Sequence, residues 1–265
     1  MNGTLFRRGM QTSWKITALL AAVLSLYISM IVSMFDPKLG ESLAAMAESM
    51  PQLFAAFGMD QPGATLTEFM ANYLYGFLLV VFPLVLALLL VWRLIARPSD
   101  QGDLVWMLSG AQGRLRVLLS QLGALVCCQL LLAVYCAALG AGCAGAMFPG
   151  ELALPAFLRM NAGLFGLQLF LAAACVLLAC LFGEMRRGFG VGAGLCALFL
   201  LLKMLSDAGE KAELLRWFTP LSLFDPDGLL AASGSAAMGA AVLYLGAAGM
   251  LAAACVRFCR RDLAL

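Results

Sequence analysis

Long apolar runs alternate with short polar segments along this chain, and six of the runs are long enough to matter: Ile16–Phe35, Phe69–Trp92, Val117–Met147, Leu158–Phe182, Phe189–Leu205 and Ala236–Val256. A hydrocarbon core of about 30 Å takes about 20 apolar residues as helix. The pattern therefore predicts an all-α integral membrane protein, one domain over residues 1–265 with six transmembrane helices. The third run is long enough to tilt or to end in an interfacial turn, and the fifth is the shortest. An even number of spans returns the chain to the side from which it started. The first run is longer than a signal-peptide core and meets no small-x-small site before Asp36-Pro37-Lys38, so it is expected to stay as an anchor.

The polar segments carry patterns of their own. Between the first two spans, Leu43, Met46, Met50, Leu53, Phe54 and Phe57 recur at near-helical spacing over Glu41–Met59, with Pro51 as a break. This predicts a short helix lying on the outer surface, read as a cover over the spans rather than a gate. Pro83 inside the second run predicts a kink, either a hinge or a packing feature whose freed carbonyl finds another partner. Ahead of the sixth run, Glu210–Phe218 suits a helix. Phe218 to Gly228 is too apolar for a solvated loop and is expected to dip back against the membrane.

The largest charged island, Arg97 to Ser120, lies between the second and third runs. Ser99 or Asp103 can cap a helix there, Gly102 loosens the turn before it, and Ser109-Gly110 with Gly113 ends it after about two turns. At 100° per residue Leu104, Val105, Met107 and Leu108 share a face and Trp106 points away from it. An apolar anchor so placed suits a groove on a partner, or burial among lipid headgroups. The turn Gly183-Glu184-Met185-Arg186-Arg187-Gly188 offers a second contact point on the same side through Arg186 and Arg187.

Composition and charge sharpen this picture. The chain is 63% hydrophobic and 12% charged, with a mean hydropathy of +0.95, far from a soluble domain. Arg7, Arg8, Lys15, Arg93, Arg97, Arg114, Arg116, Arg186, Arg187, Arg257, Arg260 and Arg261 gather on one side, while Glu41, Glu48, Asp60, Glu68, Glu151, Asp207, Glu210, Glu213, Asp225 and Asp227 gather on the other. The positive-inside rule makes the first side, with both termini, cytoplasmic. The basic stretch before the first span, with Trp14, is expected to lie along the inner headgroups.

Candidate chemistry is sparse. With no histidine, a histidine base or histidine-held metal is excluded. The nine cysteines fall mostly inside the runs at no metal-like spacing. Gly140-Ala141-Gly142-Cys143-Ala144-Gly145 matches G-x-G-x-x-G only formally, because no strand precedes it. Gly188, Gly190, Gly192 and Gly194 form overlapping G-x-x-x-G spacings and are assigned to helix packing. Neither a nucleophile nor a carboxylate pair lies at membrane depth, where the polar residues are such as Gln129 and Gln168. The chain is therefore not expected to be an enzyme, and no nucleic-acid partner is expected.

Together, the basic lead-in, Asp100-x-Gly102 followed by an apolar helix and Arg114, the segment Phe218-Thr219-Pro220 to Gly228, and the closing Phe258-x-x-Arg261-Asp262-Leu263 resemble the six-span permease subunits of type 2 ATP-binding-cassette (ABC) exporters. The resemblance covers essentially the whole chain. It departs at Ala111-Gln112-Gly113-Arg114, where family members often carry a proline and a small polar residue before the arginine. It implies a bacterial cytoplasmic membrane, a second permease subunit, identical or related, and two cytosolic ATPase subunits. Their groove would receive a coupling helix through Asp100, Gly102, Asp103, Leu104, Val105, Trp106, Met107, Leu108 and Arg114. It also implies export of an amphipathic solute, peptide, lipid or drug. This chain has no G-x-x-x-x-G-K-[ST] loop, so ATP and Mg would be bound by the partner and no cofactor by the permease. An ion-coupled secondary transporter and a non-transporting immunity or sensing subunit are the alternatives.

Overall fold

The computed structural model describes residues 2–35, 49–50, 65–100, 113–182, 184–208 and 218–260, and among these it contains helices and no strand. Six helices are long and apolar enough to cross a membrane: Gly3–Ser33, Leu78–Ala96, Arg114–Met147, Leu154–Leu181, Met185–Asp207 and Gly234–Arg260. The protein is a multi-pass, all-helical membrane protein. The surface helix expected over Glu41–Met59, the helix expected from Glu210 and the closing Arg261–Leu263 lie essentially outside the described residues.

Several boundaries differ from those set by hydropathy alone. The basic lead-in is not a separate element along the headgroups but the opening turns of one unbroken helix, Gly3–Ser33. Asn2 caps it, its Oδ1 accepting from the Thr4 N–H at 3.0 Å, while the Asn2 N–H donates to Ser120 Oγ at 2.7 Å. That second bond anchors the helix start to the third span and favours continuation over a bend. The fifth span is longer than its apolar run, because Lys203 and Asp207 pair within the helix instead of ending it.

The second span is assembled in pieces. Thr65 and Glu68 form a capping box that starts Leu66–Met70, a wider π-type turn follows over Ala71–Tyr75, and the chain turns at Gly76-Phe77 before Leu78–Val91. A second π-type turn, Trp92–Ala96, leads into Arg97–Asp100. The run predicted as continuous from Phe69 is thus broken before Leu78.

The fourth span, Leu154–Leu181, is the axis of the bundle and packs against the second, third, fifth and sixth spans. Small residues on several of its faces (Gly163, Gly166, Ala172, Ala173, Cys175, Ala179) are buried and let neighbours approach closely. The fifth span uses its own glycines for this. A Cβ on Gly188 would stand 2.5 Å from the Leu178 carbonyl oxygen and one on Gly192 3.0 Å from Cys175 Cα, whereas one on Gly190 or Gly194 would have nothing within 4 Å among the described residues. Of the two overlapping glycine spacings, 188/192 is the one packed against the fourth span among the described residues.

The first and third spans form a second pair, joined by Ser25 Oγ and Tyr135 Oη at 2.7 Å. Before the sixth span the chain forms a short 3-10 turn, Pro220–Leu223, and a helix, Pro226–Leu230, with Leu221, Phe224 and Leu229 buried in the core. The composition of the segment predicts a dip back against the membrane; these side chains instead bury themselves in the bundle's own core.

Candidate functional site

The bundle has a basic end, carrying Arg93, Arg97, Arg114, Arg186, Arg187, Arg257 and Arg260, and an acidic end, carrying Glu68, Glu151, Asp207, Asp225 and Asp227. At the basic end, Arg97–Asp100 continues the second span as a helix that packs against the fifth. Trp92 and Phe189 pack between the same two spans with centroids 5.2 Å apart and ring planes tilted by 45°. Arg93 Nη1 donates to the Thr12 carbonyl at 3.1 Å and ties in the first span. The side chain of Asp100 and residues Gly102, Asp103, Leu104, Val105, Trp106, Met107 and Leu108 lie outside the described residues. Arg114, at the island's other root, opens the third span with an exposed side chain. Arg186 and Arg187 are exposed at the start of the fifth span, Arg187 Nε pairing with Glu184 Oε2 at 2.9 Å. The helix Arg97–Asp100 at the island's root therefore packs against the span that opens with Arg186 and Arg187.

At the acidic end the break before Leu78 leaves room between the second and fifth spans and the folded-back segment. A cavity of about 260 Å³ opens there. Its floor is apolar, with Val80, Leu167 and Leu200, and its mouth is polar, with Asn72, Lys203, Asp207, Asp225 and Asp227. Lys203 Nζ lies 2.7 Å from Asp207 Oδ2, the two side chains 30% and 17% exposed, and Ser206 Oγ contacts Asp207 Oδ1 at 3.3 Å. Asp225 Oδ1 accepts from the Gly228 N–H at 3.1 Å and so starts the Pro226–Leu230 helix. Arg159 closes that helix, donating from Nε to the Leu229 carbonyl at 3.0 Å and from Nη2 to the Leu230 carbonyl at 3.1 Å. The cavity wall is thus held by a cap at each end. A polar mouth over an apolar floor suits a ligand with a charged or polar head and an apolar body.

Next to that floor, Pro83 lacks the N–H that would bind the Leu79 carbonyl in a regular helix. Gln168 of the fourth span supplies the donor instead: its Nε2 lies 3.4 Å from the Leu79 oxygen and 3.0 Å from the Val80 oxygen. The freed Leu79 carbonyl thus has another partner, as the packing reading of Pro83 expects.

Sequence reasoning singled out Gln168 only as a polar residue in an apolar run, and it did not find the cavity. One signal was present: opposite charges four residues apart, Lys203 and Asp207, near the end of an otherwise apolar helix. No protein-family model and no curated protein matches the chain.

Proposed function

We propose that this chain is the permease subunit of an ATP-driven exporter of the type 2 ABC group in the bacterial cytoplasmic membrane, moving an amphipathic solute with energy from separate ATPase subunits. One observation carries the reading beyond sequence resemblance. The second and fifth spans, which wall the cavity at the acidic end, are the same two that meet at Trp92 and Phe189 beside the island's root at the basic end. A rigid-body push on the island therefore reaches the cavity through helices already packed on each other. In this reading ATP closes the partner ATPases around the helix containing Trp106, the second and fifth spans shift together, and the amphipathic cavity releases its ligand outward.

Ion coupling is the weaker alternative, because Lys203 and Asp207 sit near a span end rather than at the midplane, where coupling sites usually lie. The test is purification from the native membrane in mild detergent. A cytosolic ATPase and a second permease subunit co-purify, and hydrolysis follows the ATPase while this chain alone hydrolyses nothing. Full transport by the chain without an ATPase would reverse the conclusion.

A further inference from the structure

A second, much smaller cavity lies across the proline bend, lined among others by Pro83, Gln129, Cys136, Asn161 and Gln168. Its volume is about 20 Å³. A single water needs roughly 10–15 Å³ measured in this way, together with two to four polar partners. The partners are in place. Gln129 and Gln168 are each only 3% exposed, and Gln129 Nε2, Gln129 Oε1 and Gln168 Oε1 are buried without a hydrogen-bond partner among the described residues. Asn161 lines the same space while its Nδ2 donates to the Phe157 carbonyl at 2.9 Å, leaving its side-chain oxygen as a further acceptor. Polar groups at membrane depth have no solvent to turn to, and an apolar lining alone would leave such a space dry.

We propose that this cavity is a binding site for one structural water, which accepts a hydrogen bond from Gln129 Nε2 and donates one to Gln168 Oε1. The water holds the Gln168 amide from its oxygen side while its nitrogen side holds the Leu79 and Val80 carbonyls. Gln129 is then a positioning residue: it touches neither carbonyl, yet it orients the group that replaces the missing proline N–H. The proposal stands independently of the exporter reading, because it concerns only how the bend is supported.

Radiolytic hydroxyl footprinting of the purified protein in nanodiscs tests it, since radicals generated from a bound water modify the side chains beside it. Cys136 and Cys175 are both buried thiols, 4% and 0% exposed, but only Cys136 lines the cavity. Cys136 is expected to be modified several-fold faster than Cys175. In Gln129→Leu, checked for native folding by gel filtration and thermal melting, Cys136 falls to the rate of Cys175. Equal rates in the unaltered protein overturn the proposal without recourse to any variant. Fast Cys136 labelling that persists in folded Gln129→Leu overturns it as well, because Gln129 would then not be holding the water.

Discussion

Gln168 donates a 3.0 Å hydrogen bond to the carbonyl of Val80, crossing from the axis of the bundle to the proline-bearing second span. The same nitrogen lies 3.4 Å from the carbonyl of Leu79, the one that Pro83 leaves without its helical N–H donor, so the second span carries the proline and the fourth supplies a substitute donor. Because Leu79 and Val80 lie on opposite sides of this contact, one lining the small cavity and the other the larger, movement of the bend would be felt in both.

Replacing Gln168 with leucine removes the side-chain donor shared by the Leu79 and Val80 carbonyls, of which Leu79 has no helical donor because of Pro83, and is expected to destabilise the protein by about 1 kcal/mol, the scale of side-chain hydrogen bonds between membrane helices. Pro83→Ala in the same background should recover part of this, since alanine restores the N–H that reaches Leu79. A double-mutant cycle read by denaturant unfolding in micelles measures the coupling. Purely additive effects would show that the two residues do not act together.

The fifth-span glycines should divide into two classes. Gly188→Ala and Gly192→Ala drive a methyl into the fourth span and are expected to cost about 1–3 kcal/mol, the usual scale of overpacking. Gly190→Ala and Gly194→Ala meet open space and should be neutral or stabilising by up to about 1 kcal/mol through helix propensity. Thermal melting of the four single variants reads the division directly.

Topology is testable at two exposed positions. Glu184 lies in the basic-end turn and Ser235 at the start of the sixth span on the acidic end. In a cysteine-free background, an impermeant thiol reagent should label Ser235→Cys on intact cells and Glu184→Cys only after permeabilisation. The reverse pattern would invert the charge-based orientation.

Trp106 is expected to anchor the partner ATPase. Loss of a buried aromatic at an interface typically costs about 2 kcal/mol or more, roughly thirtyfold in affinity. Trp106→Ala should therefore weaken ATPase binding and uncouple transport while membrane abundance, measured in parallel, stays normal. Leu104→Asp should instead lower abundance, because Leu104 is assigned to the face that holds the helix to its own bundle. Undiminished ATPase affinity in Trp106→Ala would mark that tryptophan as a headgroup anchor.

The sequence by itself determined that the protein is helical, with six runs long and apolar enough to cross a membrane, and that its Phe218 to Gly228 segment is too apolar for a solvated loop. These features follow from local composition, because a bilayer demands internal hydrogen bonding and a set length of apolar residues from each span separately. Only tertiary structure decided which groups meet. Whether the proline bend found a partner depended on a residue 88 positions away, and which glycines pack depended on the rotation of the fifth span about the fourth. The acidic-end cavity depended on the interruption of the helix at Gly76-Phe77 lying across from Lys203 and Asp207. Hydropathy is nearly blind to rotation about a helix axis, since the lipid-facing and protein-facing sides of a span are equally apolar. Contacts between spans are therefore the part that the amino-acid order alone left open.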